Sequence, residues 1–292
     1  MKDSKILTCH FIGIGGVGMS AIAQMANREG WVVSGSDSRE SASLDVLRNS
    51  GIVIYVGHIP DQVKEADVVV YSSSISASNP ELIRARKLKK RILHRAEMLA
   101  LLTKDTIAFA VAGSHGKTTT TGLAAVALEF TSMHPTVLVG GNFASFGGNF
   151  KSGRDNVVVF EADESDQSFL HYSPDAILIT NIDNDHLDTF GSLAGVKNAF
   201  CRFLDRLSPE GIWIGCYECE HTRDLLINHG REGIAYGFSD GCKYQAKNIE
   251  SLGIDGSSFD VFSDGKRLGR VSVAAVGSHN ILNALGACTL AY

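Results

Sequence analysis

The stretch Ile107-Ala-Phe-Ala-Val-Ala112-Gly113-Ser114-His115-Gly116-Lys117-Thr118-Thr119-Thr120-Thr121 decides the fold. Its apolar, uncharged start reads as a strand buried on both faces, and the glycine turn that follows leads into a helix. That setting lets backbone N–H groups face a phosphate, with Lys117 reaching the β and γ groups and the Thr118 hydroxyl on Mg²⁺. The loop departs from the usual G-x-x-x-x-G-K-[ST], because Val111 stands where the first glycine belongs and the turn is the tighter G-x-x-G-K-T.

Toward the N-terminus the same punctuation occurs once more. Ile6 to Ile12 reads as a strand, Gly13-Ile-Gly15-Gly16-Val-Gly18 as a turn, Met19 to Glu29 as a helix and Trp31 to Ser34 as the next strand. The G-x-G-x-x-G spacing, with Asp37 about 20 residues on, satisfies the dinucleotide fingerprint. By itself that suggests a nicotinamide cofactor, yet the same geometry holds any diphosphate, including that of a nucleotide sugar. Further strand-like runs at Ile52 to Val56 and Val68 to Tyr71 imply a parallel sheet. Asn79-Pro80-Glu81 signals a helix start, and that helix is expected to carry Arg84, Arg86, Lys87, Lys89, Lys90 and Arg91. No aromatic residues interleave with these charges, so they read as a solvated face. The pattern restarts after Lys104-Asp105, which places a Rossmann-like domain at 1–104 and a P-loop α/β domain at 105–292.

Beyond the lysine turn, the strand-like runs Thr136 to Val139, Val157 to Phe160 and Ala176 to Thr180 each end in a polar cluster. These are Gly140-Gly141-Asn142, Glu161-Ala-Asp163-Glu164-Ser-Asp166 and Asn181-Ile-Asp183-Asn184-Asp185-His186-Leu-Asp188. Ligands sit outside the carboxyl ends of strands in open α/β sheets, so all three clusters are expected to converge on one crevice. Carboxylates there suit a hard cation beside a nucleotide. From Ile234 short β segments punctuated by Asp255-Gly256 and Asp264-Gly265 predict a small antiparallel addition.

Composition sets the outer limits. At 292 residues two domains are expected, and 44% hydrophobic with 20% charged residues excludes a disordered or fibrous chain. Lys plus Arg number 27 against 32 Asp plus Glu, a net charge of -5 that argues against general affinity for nucleic acid or anionic membrane. The opening residues lack the pattern of a signal peptide, and no stretch approaches about 18 uninterrupted apolar residues, so a cytoplasmic protein is expected. Six cysteines scattered through a large chain do not read as a disulfide framework, and the Cys216-x-x-Cys219 pair has no second pair to complete a metal site.

Six motifs occur in one order: HFIGIGGVGMS at His10 to Ser20, SGSD at Ser34 to Asp37, GSHGKTTTT at Gly113 to Thr121, EADESD at Glu161 to Asp166, TNIDNDHLDTF at Thr180 to Phe190 and GSHNILNALGA at Gly277 to Ala287. The series resembles the Mur ligases of peptidoglycan synthesis, whose loops share the shortened form seen here, and is most similar to the members that join L-alanine to UDP-N-acetylmuramate. The resemblance implies that Gly13, Gly15, Gly16, Gly18 and Asp37 hold the UDP part of a nucleotide sugar. It implies that Gly113, Ser114, His115, Gly116, Lys117, Thr118 and Thr119 bind the phosphates of ATP. Thr118, Glu161 and His186 would be the Mg²⁺ ligands, Asn142 would approach the γ-phosphate region, and Asn280 and Asn283 would contact adenine. Some relatives carry a carbamylated lysine after the DHxD motif, and Lys197 stands nearest but out of register.

The implied chemistry is phosphoryl transfer to a carboxylate followed by amine attack on the acyl phosphate, with Lys117, Asn142, Glu161 and His186 serving the reacting groups. The family has a third domain after the GSHN helix, so this sequence is expected to bind substrates with little turnover by itself. A nicotinamide oxidoreductase would leave the second turn and the acidic clusters without a purpose. A noncatalytic P-loop module would have no need of the first turn, and tripeptide-recycling members of the family differ from alanine-adding ones in the muramyl substrate.

Overall fold

The computed structural model describes residues 7–292; Ile6, the expected start of the first strand, lies outside them. Two compact units emerge. One runs to Asp105 and takes in Gly140–Asn142 and Phe146–Ser152; the other comprises Thr106–Val139, Phe143–Ser145 and Gly153–Tyr292.

The first unit is built from β1 (Thr8–Ile12), α1 (Val17–Arg28), β2 (Val32–Asp37), α2 (Ala42–Asn49), β3 (Val53–Val56), β4 (Val68–Tyr71), α3 (Pro80–Lys87), β5 (Arg91–His94) and α4 (Arg95–Leu102). All five strands are parallel, in the order β3-β2-β1-β4-β5. The order reverses beside β1, so the Gly13–Gly18 turn leaves the sheet at its switch point. Cys9, Phe11 and Ile12 of β1 are buried on both faces, as a central parallel strand requires.

The helix at Asn79 begins as expected: the Asn79 side chain accepts from the Glu81 and Leu82 amides, a cap that contributes about 1 kcal/mol. It ends earlier than expected. Lys89 adopts a left-handed φ of +54°, its N–H bonds to the Arg86 carbonyl and the Lys90 N–H to the Ala85 carbonyl. This pair of bonds is a Schellman ending with lysine in place of glycine. Lys89 and Lys90 therefore lie beyond the helix and Arg91 opens β5, so the expected basic face is shorter than the sequence suggested.

The second unit continues with β6 (Ile107–Ala112), α5 (Lys117–Phe130), β7 (Thr136–Phe143), β8 (Gly148–Lys151), β9 (Val157–Glu161), β10 (Ala176–Ile179), α6 (Leu187–Phe190), α7 (Leu193–Leu204), β11 (Ile212–Cys216), α8 (Glu220–Asn228), β12 (Ile234–Gly237), β13 (Tyr244–Ser251), β14 (Ser257–Ser263), β15 (Lys266–Val273) and α9 (Ser278–Ala291). Its sheet has the order β15-β14-β13-β12-β11-β10-β6-β9-β7-β8, and β8, although hydrogen-bonded into this sheet, clusters with the first unit. Pairing is parallel from β7 to β13 and antiparallel across β13, β14 and β15. Asp264 and Gly265, both at positive φ, form the tight turn that the sequence signalled. The antiparallel strands are not short: β13 and β15 have eight residues each and extend the main sheet. All six cysteines are free thiols. Among the described residues no helix is long and apolar enough to cross a membrane.

Candidate functional site

Strand order explains which clusters meet the lysine turn. β6 lies between β9 and β10, so residues beyond those two strands flank the loop after β6 on either side. β7 is one strand further out, and it does not end at Val139 as expected but continues through Gly140–Phe143. Two of the three polar clusters thus converge on the loop. The third, with Asn142, belongs to the first unit.

Gly113 and Gly116 have φ of +134° and +81°. A Cβ on Gly113 would collide with Thr180 Oγ1 and come within 2.8 Å of the Asn181 carbonyl oxygen. Asn181 braces the loop at three points: its carbonyl accepts the Ser114 N–H at 3.1 Å, its Oδ1 accepts the His115 N–H at 2.9 Å, and its Nδ2 donates to the His115 carbonyl at 2.9 Å. Thr180 Oγ1 adds a bond to the His115 carbonyl at 2.6 Å, and Ser114 Oγ accepts the Asp183 N–H at 2.9 Å. The Asn181–Asp183 segment, read from sequence as part of a polar cluster at the ligand crevice, is first of all the splint of the turn. His115 itself is largely exposed, 3.4 Å from Asp185 and 3.7 Å from Asp183.

The first intrahelical bond of α5 runs from the Thr120 N–H to the Gly116 carbonyl. The amides of Lys117, Thr118 and Thr119 before it have no acceptor within the helix and stand at the positive end of 14 helical residues, a setting that favours an anion. Lys117 Nζ is folded back on its own loop, donating to the Gly113 carbonyl at 2.6 Å, the Ser114 carbonyl at 3.3 Å and Glu164 Oε1 at 3.0 Å. Glu164 is 1% exposed, and its second oxygen has no hydrogen bond although Nζ lies 3.0 Å away. Burial pushes the Glu164 carboxyl above its ordinary range, against the pull of Lys117. Sequence reading placed Glu164 in an acidic cluster without singling it out; only its burial against Lys117 does so.

Thr118 Oγ1 donates to Glu161 Oε2 at 2.9 Å, so a hydroxyl and a carboxylate stand side by side at the mouth of the loop. That oxygen pair fits Mg²⁺, which takes few protein ligands and completes its shell from phosphate and water. His186, at a left-handed φ of +56°, approaches Glu164 Oε1 at 3.9 Å. Among the described residues no group of three or more His, Cys, Asp or Glu side chains forms a preassembled metal cluster. Lys197 pairs with Asp224 at 2.7 Å.

Asn280 and Asn283 lie in the first two turns of α9. Asn283 Oδ1 would stand 2.7 Å from a Cβ on Gly116, which is direct packing on the lysine turn, and its Nδ2 lies 3.4 Å from Asn280 Oδ1. Asn283 also lines a cavity of about 200 Å³ with Asn181, Glu218, Cys219 and His279.

In the first unit the Gly13 and Ile14 amides donate to the Ser36 carbonyl at 2.8 and 2.9 Å, and the Gly15 N–H donates to Asp37 Oδ2 at 2.9 Å. The Gly16 N–H turns back to the Gly13 carbonyl at 3.2 Å. Asp37 therefore builds the turn as well as facing its mouth. Gly18 already belongs to α1. Asn142 lines a separate cavity of about 470 Å³ with Val17, Ser20 and Asn149, whose side-chain amide donates to Ser20 Oγ at 2.9 Å.

The "Mur ligase middle domain" family model matches residues 111–291, and the "Mur ligase family, catalytic domain" model matches residues 8–106. The chain is 44% identical to the UDP-N-acetylmuramate--L-alanine ligase of Dictyoglomus turgidum over 95% of its own length and 60% of that protein's. It is 43% identical to the ligase of the same name from Sorangium cellulosum, over 100% and 62%. It thus spans about three fifths of these relatives. The crystal structure of UDP-N-acetylmuramate-alanine ligase MurC from Thermotoga maritima superposes with a TM-score of 0.84 at 33% identity, covering 97% of this chain and 64% of that one. That of UDP-N-acetylmuramate:L-alanyl-gamma-D-glutamyl-meso-diaminopimelate ligase from Neisseria meningitides gives 0.87 at 29%, covering 98% and 93%. With both of its units matched in sequence order, the chain belongs to the Mur ligase family.

Proposed function

We propose that the chain serves ATP-dependent ligation of L-alanine to the carboxylate of UDP-N-acetylmuramate, in the making of peptidoglycan precursors. Likeness at 40–44% identity to alanine-adding ligases, running along nearly the whole chain, carries this reading. The lysine turn supplies the charge management that the chemistry needs. Lys117 leaves the Gly113 carbonyl and Glu164 for the β and γ oxygens, and the amides of Lys117, Thr118 and Thr119 hold the phosphates in place. Thr118 and Glu161, with His186 nearby, would hold Mg²⁺, which when bound neutralises phosphate charge so that an anionic carboxylate can approach.

The lactyl carboxylate of the muramate attacks the γ phosphorus and ADP departs. The alanine amine then attacks the acyl carbon of the resulting acyl phosphate, loses a proton, and inorganic phosphate leaves as the amide forms. Asn280 and Asn283 face the adenine. The turn at Gly13, Gly15, Gly16 and Gly18 meets the UDP diphosphate through the start of α1, and Asp37 offers Oδ1 to the ribose. Asn142 and Asn149 line the space for the muramyl sugar and its lactyl group.

A second reading draws on the TM-score of 0.87 to the tripeptide ligase and differs not in the muramyl substrate, as expected from sequence, but in the amine: L-alanyl-gamma-D-glutamyl-meso-diaminopimelate takes the place of L-alanine. Thermal unfolding with UDP-N-acetylmuramate, with ATP plus Mg²⁺, with NADH, and with L-alanine or the free tripeptide added to the nucleotide sugar and ATP, tests both in parallel. A ligand at a hundredfold excess over its Kd adds about 2.7 kcal/mol to the folded state. Stabilisation by UDP-N-acetylmuramate and by ATP is the expected result. Further stabilisation by the tripeptide and not by L-alanine selects the second reading, and stabilisation by NADH alone overturns both.

A further inference from the structure

Beneath the first glycine turn lies a buried polar cluster with no part in the chemistry above. His10 on β1, Ser36 on β2 and Glu81 at the start of α3 are each 0% exposed. Glu81 Oε1 lies 2.9 Å from His10 Nε2, and Oε2 lies 2.6 Å from both Ser36 Oγ and His58 Nδ1. A carboxylate only accepts, so both imidazole nitrogens carry their protons toward it. His10 Nδ1 is then left to accept from Ser34 Oγ at 2.9 Å, which completes the chain. Burial pushes the Glu81 carboxyl up, but the bonds from His10, Ser36 and His58 together outweigh it and hold the group below its ordinary range.

A packed core has no need of this anion, since replacing buried ionic groups by apolar ones of similar size is often neutral or stabilising. What the cluster adds is direction. Ser36, gripped through its hydroxyl, is the residue whose carbonyl takes the Gly13 and Ile14 amides, and its neighbour Asp37 takes the Gly15 amide. Three successive amides of the turn thus hang on two residues at the end of β2.

We propose that Glu81 is a positioning residue for nucleotide-sugar binding: by clamping Ser36 from below, together with His10 and His58, it holds the Gly13–Gly15 turn in its binding shape. The proposal rests on reading that turn as a UDP-sugar site. The test compares amide exchange at Gly13, Ile14 and Gly15 in the ligand-free protein with the calorimetric Kd for UDP-N-acetylmuramate, in wild type, E81Q, S36A, H58N and H58L. In E81Q the three donors meet an amide with one acceptor, so exchange at the turn rises and the Kd increases by about tenfold, while ATP affinity is unchanged. H58N keeps a donor near the Nδ1 position and behaves as wild type; H58L follows E81Q. If E81Q does not fold, S36A removes the hydroxyl link alone and carries the same comparison. Lower melting temperatures with unchanged exchange at the turn and unchanged Kd overturn the proposal and leave Glu81 a structural ion. If the wild type does not bind the nucleotide sugar, the reading of the turn falls, and unchanged exchange in E81Q still refutes the clamp while faster exchange upholds it.

Discussion

The turn after β1 and the turn after β6 share a glycine-rich spacing and a place at the carboxyl edge of a parallel sheet, yet their amides and charges are disposed differently. In the first, the Gly13, Ile14 and Gly15 amides are taken by Ser36 and Asp37, and the charges beside it are the Asp37 carboxylate at Gly15 and the Arg95 guanidinium at Gly18. In the second, Asn181 splints the loop from outside, while Lys117 brings a cation and Glu161 and Glu164 oppose it. The glycines specify only that backbone can come close. On the proposed reading, the flanking side chains decide which phosphate-bearing ligand each turn suits: one whose charge must be steered during reaction, or one that needs only to be held.

Replacing Lys117 tests that division most severely. K117M keeps a chain of similar length but removes the cation that would make at least two charge-assisted bonds to phosphate, each contributing about 1.5–3 kcal/mol. ATP affinity measured by calorimetry should fall by roughly a hundredfold or more. Affinity for UDP-N-acetylmuramate should not change. A parallel loss of both would show that the two turns do not divide the labour.

The backbone requirement differs in the same direction. G113A places a Cβ against Thr180 Oγ1 and the Asn181 carbonyl at a φ of +134°, with backbone that cannot move aside, and should destabilise the second unit by about 3 kcal/mol. G15A meets the Asp37 carboxylate at 2.8 Å and a Leu44 methyl at 3.2 Å, both ends of side chains that can turn away. It should destabilise by about 1 kcal/mol, the worth of the bond that Asp37 would give up. Denaturant unfolding of the two variants checks the ratio.

Each turn also has a buried glutamate beneath it, and the two respond to pH with opposite sign. The Glu81 carboxyl is depressed, so the stability it contributes is present above the ordinary carboxylate range and lost as pH falls through its folded value. The Glu164 carboxyl is raised, so its contribution is present below the ordinary range and lost as pH rises through its folded value. On acidification from neutrality, wild type should lose stability relative to E81Q and gain it relative to E164Q. Chemical unfolding across that range measures both; slopes of the same sign would mean that Lys117 outweighs burial at Glu164.

What was legible in the sequence follows from range of interaction. Both strand-turn-helix units, the Asn79 cap and the Asp264-Gly265 hairpin are set by residues within a few positions of one another, and each appears where its signal stands. The early end of α3 is also local, but lysine at the left-handed position carries no glycine signal. Convergence on the lysine turn depends on strand order, which no spacing encodes: β9 and β10 flank β6 and bring Glu161 and Asn181 to it, whereas β7 lies one strand away. Glu164 and Glu81 were invisible as individuals. One stands in an acidic cluster read as suited to a cation and the other in the first turn of a helix read only for its start, and only the packing of Lys117 on one and of His10 and His58 on the other reveals buried partners.

The smallest effect separates the last glycines of the two turns, which a motif treats as equivalent. Gly116 stands at a φ of +81° with Asn283 Oδ1 2.7 Å from any Cβ, so alanine there strains the backbone and displaces the α9 asparagine at once. Gly18 lies inside α1 at an ordinary helical conformation, where a Cβ would meet only Arg95 Nη1 at 3.6 Å, a normal contact. G18A should therefore be neutral or stabilise the fold by up to about 0.5 kcal/mol, through the helix preference of alanine over glycine. Calorimetry with UDP-N-acetylmuramate then gives the variant its meaning. An unchanged Kd would show that the fingerprint's third glycine is dispensable in this turn, while a weaker one, in a fold no less stable, would place the ligand against the α1 backbone at Gly18.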